Sequence, residues 1–198
     1  KQGLESAISV RAIALTKAER EDFITPLQLL TDKPILYVCN VDEASAKDGN
    51  HYVEDVKKAI ANENAEIIVL AVATEADIAD LESYEERQLF LEDLGLDEPG
   101  ISVLIRAAYK LLNLQTYFTA GEKEVRAWTI HVGDTAPQAA GVIHTDFEKG
   151  FIRAEVMKYN DFVNYGSEVK VREAGKLAIE GKEYVVQDGD IMHFRFNV

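Results

Sequence analysis

The sequence predicts an α/β protein in two parts: a parallel strand–helix–strand unit, then a small mixed sheet wrapping one or two helices. Ile35 to Cys39 and Ile67 to Val72 are apolar runs too short for helices and rich in β-formers, and the helical pattern of Asn50 to Asn62 lies between them. Strand, helix and strand in that order imply a parallel pair with a right-handed crossover. From Leu114 the texture changes to short strands separated by turn signals, which places a boundary near Asn113.

A chain of 198 residues, 47% apolar, is long enough for one large or two small packed domains. No apolar run approaches the length of a membrane span, and the first residues lack the basic and apolar segments of a secretory signal. One cysteine, Cys39, excludes an internal disulfide and suits a reducing compartment, so a cytoplasmic address is expected. The net charge of −14 argues against coating nucleic acid through bulk electrostatics. That charge is uneven. Residues 1 to 112 hold 11 basic against 22 acidic side chains, a net of −11, whereas residues 113 to 198 hold 10 against 13, a net of −3. The second half has room for a local basic face. Beginning at Lys1, in mid-pattern and without a methionine, the chain reads as a fragment.

Leu4, Ile8, Ala12 and Leu15 fall at helical spacing and predict a short amphipathic helix. Thr16 followed by Glu19 is a capping-box signature for a second helix, which Pro26 should kink or restart before Leu27, Leu29 and Leu30. An ordinary surface helix pair fits this pattern equally well. In the helix of Asn50 to Asn62, Tyr52, Val53, Val56, Ala59 and Ile60 are expected to face inward. Tyr84 to Leu94 and Ile101 to Leu112 read as helices around the turn-rich Gly95 to Gly100. Leu104, Ala107, Ala108, Leu111 and Leu112 form a stripe expected in the core. Beyond Asn113 the expected strands are Leu114 to Thr119, Val125 to Val132, Phe151 to Met157, Lys182 to Val186 and Ile191 to Val198. A turn is expected at Ala120 to Glu122, and helices near Ala136 to Ala140, Asp161 to Tyr165 and Glu168 to Ala174. The pair Asp188 and Gly189 predicts a turn joining the last two strands.

Polarity switches abruptly at the exit of the first strand, KPILYVCNVDE, to Asn40, Val41, Asp42 and Glu43. Open α/β sheets place ligand groups at such exits, although Asn and Asp also suit an ordinary turn. The stretch resembles the base-specificity motif of a P-loop NTPase, with Asn-x-x-Glu where most GTPases carry Asn-Lys-x-Asp. With its flanks it resembles the YchF branch of the Obg-type translational NTPases. LNLQTYFTAGEKEVRAWTI, HTDFEKGFIRAEV and YVVQDGDIMHFRFNV resemble the TGS domain of that family, a ubiquitin-like β-grasp.

The resemblance implies a helical-arm remnant in residues 1–30, the carboxyl-terminal part of a nucleotide-binding domain in 31–112, and a TGS domain in 113–198. It implies base contacts from Asn40, Val41 and Glu43, and from Ala71, Val72 and Ala73 at the second strand's exit, where a plain strand end is the alternative. An aspartate at the position of Glu43 would accept from guanine N1–H and its exocyclic amine; the longer glutamate does not easily take that pose. Asn40 could read adenine with its oxygen on the N6 amine and its NH₂ on N7. Leaving guanine's donors unpaired costs about 1 to 3 kcal/mol each, so ATP is expected over GTP. Val41 in place of the usual lysine weakens stacking over the base. Partners implied by the resemblance are the ribosome, as the large subunit or a 70S-type assembly, and its RNA, with the protein a monomer and no membrane partner.

Hydrolysis needs GxxxxGK[ST], and the nearest stretch, Gly175 to Glu183, has one residue too many and ends in glutamate. Neither catalytic nor magnesium-binding side chains can be assigned, so the 198 residues alone are expected to be inactive, with Mg²⁺ bound by the parent protein elsewhere. His131, His144 and His193 are scattered, and structural roles are favoured over acid–base or metal chemistry. Lys123, Arg126, Lys149, Arg153, Lys170, Arg172 and Lys176 interleave with Tyr117, Phe118, Trp128, Phe147 and Phe151. The aromatics suit a core and the charges a solvated face, while Lys149 and Arg153 are the candidates for RNA or partner contact. A non-enzymatic module binding RNA or protein through its second half is the alternative function.

Overall fold

The computed structural model describes residues 2–6, 8–63, 65–121 and 124–197. Lys1, Glu122, Lys123 and Val198, named above, lie outside the described residues, as does the side chain of Leu4. The chain divides into two compact units, Lys1–Leu112 and Asn113–Val198.

The first unit begins with short helical pieces in place of the expected amphipathic helix. α1 spans Gln2–Glu5 and a 3₁₀ turn spans Val10–Ala12, with Val10 buried and Ile8 largely exposed. Extended backbone at Ser9 (φ −59°, ψ 140°) separates them, in keeping with the poor fit of Ser and β-branched residues to a helix interior. Thr16 then caps α2 (Lys17–Glu19) in a capping box: its Oγ1 accepts from the Glu19 N–H at 3.3 Å, and Glu19 accepts from the Thr16 N–H at 2.9 Å. The helix widens to a π turn at Arg20–Ile24, tightens to a 3₁₀ turn at Thr25–Leu27 and stops at Gln28 in the left-handed region. Pro26 therefore precedes a stop, and Leu27 and Leu30 are exposed.

β1 (Leu36–Asn40) and β2 (Glu66–Leu70) pair in parallel, from Leu36 opposite Glu66 to Asn40 opposite Leu70. α3 (His51–Ala59) connects them, capped by Asn50, whose Oδ1 accepts from the Tyr52 and Val53 N–H groups. Val53 is buried, but Tyr52 and Ala59 face solvent, contrary to expectation. β1 is also less buried than its apolar run predicts. Among the described residues β2 is its one strand neighbour, and Val38 on its outer side is 46% exposed.

The sequence pattern raised no helix over Val72–Asp80, yet α4 forms there, from alanine-rich helix formers with Glu75 in the first turn. α5 (Tyr84–Asp93) has a capping box of Ser83 and Glu86, and α6 (Gly100–Leu111) packs Val103, Leu104 and Ala107 on Leu36, Ile68 and Leu70. Leu112, expected in that stripe, is exposed just beyond the helix.

In the second unit β3 (Leu114–Ala120), β4 (Val125–His131), β5 (Phe151–Lys158), β6 (Ala178–Glu180) and β7 (Asp190–Phe196) form one sheet in the order β4-β3-β7-β5-β6. β3 and β7 run parallel and the other pairs antiparallel. Between strands lie α7 (Ala136–Ile143), α8 (Thr145–Lys149), α9 (Tyr159–Tyr165) and α10 (Glu168–Glu173). Alternate strand residues divide the packing. Tyr117, Ile130, Val156 and Met192 meet the alanines of α7, while Met157 and Ile191 meet Val171 of α10. Tyr117 and Phe151 are buried and Phe118, Trp128 and Phe147 half-buried, so the aromatic set is mostly packing.

The expected hairpin of Lys182–Val186 with the last strand does not form. Gly189 turns the chain at φ 78°, but Val185 makes only an isolated bridge to Thr135, and β7 enters between β3 and β5. The cause is Asp190, which is fully buried. Its carboxylate accepts from Tyr184 OH and Lys158 Nζ, both at 2.6 Å, and from the Gln187 N–H at 2.9 Å. That binds the 184–190 loop to β5. Among the described residues no helix is long and apolar enough to cross a membrane.

Replacing Asp190 with alanine strands Lys158 and Tyr184 and should lower stability by about 2 to 3 kcal/mol. The single tryptophan, Trp128, reports it as an earlier urea midpoint; an unshifted midpoint would refute this account of the loop.

Candidate functional site

The parallel register brings the exits of β1 and β2 together. The Val41 N–H donates to Leu70 O at 2.8 Å, and Asn40 Oδ1 accepts from the Val72 N–H at 3.1 Å. Ala71 is buried in the cap position of α4, while Val72 and Ala73 stand exposed in its first turn. The amides of Ala73 and Thr74 are among those that a helix start leaves without an intrahelical acceptor. Asn40, Val41, Ala71 and Val72 are thus adjacent, and Ala73 follows on the same turn.

Glu43 is placed by a different device. Asp42 Oδ1 accepts from the Ser45 N–H at 2.9 Å and caps a 3₁₀ turn over Glu43–Ser45. Asp42 is therefore a turn former, whereas Asn40 bonds across to the start of α4. Glu43 is exposed, and its carboxylate has no hydrogen bond or ion pair among the described residues. The Asn40 NH₂ is likewise unbonded. Since the Asn40 oxygen already serves Val72, one of the two lone pairs on the atom expected to accept from the adenine N6 amine is spent on holding α4.

A cleft of about 380 Å³ lies alongside β2 and includes Lys47, Leu70, Ala71, Thr74 and Glu75, but neither Asn40 nor Glu43. Glu75 is the residue there that sequence reasoning missed. Its carboxylate accepts from the Gly100 N–H at 2.6 Å and the Ile101 N–H at 3.2 Å, so it caps α6 from α4. The usable signal is Pro99 before Gly100: a helix start without a capping side chain of its own must be capped from elsewhere. Any side chain at position 100 would overlap Leu70 and Glu75.

In the second unit Lys149 ends α8 and Arg153 lies on β5; both are exposed, and among the described residues no hydrogen bond or ion pair joins them. Arg153 instead stands directly opposite Arg195 in the β5–β7 register. Arg195 Nε donates to Glu155 Oε1 at 3.1 Å and Arg172 Nη2 to Glu155 Oε2 at 3.3 Å. The Arg195 hydrogen bond, reinforced by the charges of Arg195, Arg172 and Arg153, holds this buried carboxyl below the usual glutamate range despite desolvation. Arg126 lies over the Trp128 ring at 4.1 Å. His144 Nδ1 accepts from the Asp146 N–H and caps α8, a structural role. Among the described residues no group of three or more His, Cys, Asp or Glu could hold a metal.

Asn40→Ala should release α4 from β1 at a cost of about 1 kcal/mol, read as a lower denaturation midpoint of the first unit by circular dichroism. A folded carboxyl pKa below 4.5 means that the Glu155 contribution is complete above that value and is lost as pH falls through the folded one. Glu155→Gln should flatten this acid limb in thermal melts. An acid limb as steep as in the unaltered protein would assign it to other carboxylates.

The family model described as a protein of unknown function, DUF933, and named for the carboxyl-terminal part of YchF GTPases, matches residues 114–197. The chain is 55% identical over 195 residues to a protein of Haemophilus ducreyi named ribosome-binding ATPase YchF, covering 98% of this chain and 53% of that protein. It is 52% identical over 200 residues to the Bacillus subtilis protein of the same name, covering 100% of this chain and 54% of the relative. The solved YchF GTPase of Schizosaccharomyces pombe superposes with a TM-score of 0.84 at 40% identity, over 98% of this chain and 52% of that one. A GTP-binding protein of Pyrococcus horikoshii, at 17% identity and TM-score 0.54, shares the fold over 84% of this chain and 47% of its own. The chain spans about half the length of the curated relatives it matches, and across that span it belongs to the YchF family.

Proposed function

We propose that the first unit supplies the base-reading end of an ATP site in a ribosome-associated nucleotide hydrolase, of which this chain is the carboxyl-terminal part. The observation that carries this is the strand exit itself, where Asn40 fastens β1 to the start of α4 and Glu43 stands unpartnered close in sequence. A purine is the ligand proposed for that corner. The free Asn40 NH₂ donates to N7, which adenine and guanine share, and the oxygen's second lone pair accepts the adenine N6 amine. Ala71, Val72 and Ala73 offer small side chains and helix-start amides to the ring.

Choice between the purines then rests mainly on Glu43. A bound nucleotide would bring the phosphate chain and its Mg²⁺, and among the described residues none is assigned to either; Asn40, Val41 and Glu43 orient and select the base. Relatives carry both names, ribosome-binding ATPase and GTPase, and the glutamate favours ATP. Guanine's two donors, left without acceptors, disfavour GTP by roughly tenfold to a hundredfold. The second unit is proposed to be the TGS domain, supported by its strand order with first and last strands parallel at the centre, the pattern of a ubiquitin-like β-grasp. Its role is to present a surface to the ribosome, and the protein works as a cytoplasmic monomer.

Isothermal titration of the protein at the length of its relatives should show ATP binding at least tenfold tighter than GTP. Absence of binding by either nucleotide would overturn the proposal. Glu43→Asp together with Val41→Lys should move the preference toward GTP, and unchanged selectivity would place base reading at other residues.

A further inference from the structure

We infer that Glu75 is a positioning residue for the base site: by gripping α6 from the first turn of α4, it fixes where α4 presents its opening amides and small side chains to a purine. The inference rests on the nucleotide-binding reading above and adds to it a residue that acts through α4 alone.

Neither helix start is capped by the residue before it. Ala71 precedes α4 and Pro99 precedes α6, and neither carries a side chain that can accept a hydrogen bond. Each start is therefore held from outside. The Val72 N–H donates to Asn40 Oδ1 at 3.1 Å, while the Gly100 and Ile101 N–H groups donate to separate oxygens of Glu75 at 2.6 and 3.2 Å. An acid in a first turn ordinarily serves the amide end of its own helix; here both oxygens are turned to another one.

These bonds close a frame. Asn40 joins β1 to α4, Glu75 joins α4 to α6, and Val103, Leu104 and Ala107 join α6 back to Leu36, Ile68 and Leu70 of the two strands. Within α4 only Thr74 and Ile78 are buried, so packing alone places this short helix weakly. The Asn40 bond by itself is a single point about which α4 could turn. A carboxylate held through two oxygens to two successive amides removes that freedom, and its charge makes both bonds stronger than neutral ones. Glu75 also closes the first turn, its N–H donating to Ala71 O at 3.0 Å, so the grip is taken on the turn that carries Val72 and Ala73. A frame set before the ligand arrives lowers the ordering that binding must otherwise supply. A capping role alone asks nothing of α4. The two roles part once α6 is capped by other means.

The test uses the protein at the length of its relatives, titrated calorimetrically with ATP and with GTP well below its melting midpoint. Glu75→Ala should weaken ATP binding about three- to tenfold, as a smaller fraction of molecules holds α4 in the competent arrangement. GTP should lose the same factor, because Glu75 places α4 and reads no base. Glu75→Gln, with one accepting oxygen left, should fall between. The decisive variant combines Glu75→Ala with Pro99→Ser, in which a hydroxyl at position 99 caps α6 in place of the carboxylate. Its thermal midpoint should rise toward that of the unaltered protein while its ATP affinity stays low. Affinity that returns along with the midpoint would reduce Glu75 to a cap and overturn the inference, and so would a changed ratio of ATP to GTP affinity.

Deuterium exchange over residues 71–76, read by mass spectrometry without nucleotide, reports on the frame directly. It should be several-fold faster in Glu75→Ala, with or without Pro99→Ser, than in the unaltered protein, and an unchanged rate would overturn the inference. Unaltered protein that binds neither nucleotide would lose the base site, and the exchange rate would then still decide whether Glu75 fixes α4.

Discussion

The first unit depends on one carboxamide bridging two strand exits. Parallel pairing of β1 and β2 sets Asn40 against Leu70, and from there its oxygen reaches the first amide of α4. Without that pairing the polar residues after β1 would be a surface turn. With it, side chains and helix-start amides from segments thirty residues apart share one edge. The same bond limits what Asn40 can do, because an oxygen engaged in architecture has one lone pair left. Among the described residues, the neighbour that this architecture leaves without a side-chain partner is Glu43.

Much of this was legible in the sequence where pattern and chemistry agree. The apolar runs around 35–39 and 67–72 became the parallel pair to within a residue or two, and Thr16 with Glu19 formed its capping box. Legibility failed where tertiary context overrode local pattern. Helical spacing over Leu4 to Leu15 ignored Ser9, whose backbone is extended. The run after β2 looked like more strand, but alanines at a strand exit suit a helix start equally well, and α4 begins at Val72. Asp188 and Gly189 did mark a turn, yet which strand the chain pairs with afterwards was decided by the burial of Asp190. Of the candidate contacts, Lys149 and Arg153 share only proximity in sequence, while Arg195, forty-two residues from Arg153, is its true neighbour because β7 lies beside β5.

Asp190 and Glu155 show two outcomes for a buried carboxylate in one sheet. Asp190 receives three donors, from a lysine, a tyrosine and an amide, and its environment is closed: every bond serves the loop that carries it. Burial and the neighbouring Asp190 push the Tyr184 hydroxyl above its ordinary value, which keeps it a donor. Glu155 gathers more cation than it can neutralise, and the surplus faces outward. The first arrangement secures topology and the second holds charge at the surface.

The carboxylate of Glu75 has a mechanical side. It sits one turn into α4 and grips the first two amides of α6, whose Gly100 leaves no room for a side chain between them. Anything that nudges the start of α4 must drag the head of α6 along or break that grip. The unit therefore contains a two-helix lever whose fulcrum is a single acidic side chain, and small displacements at the strand exits have a stiff route outward.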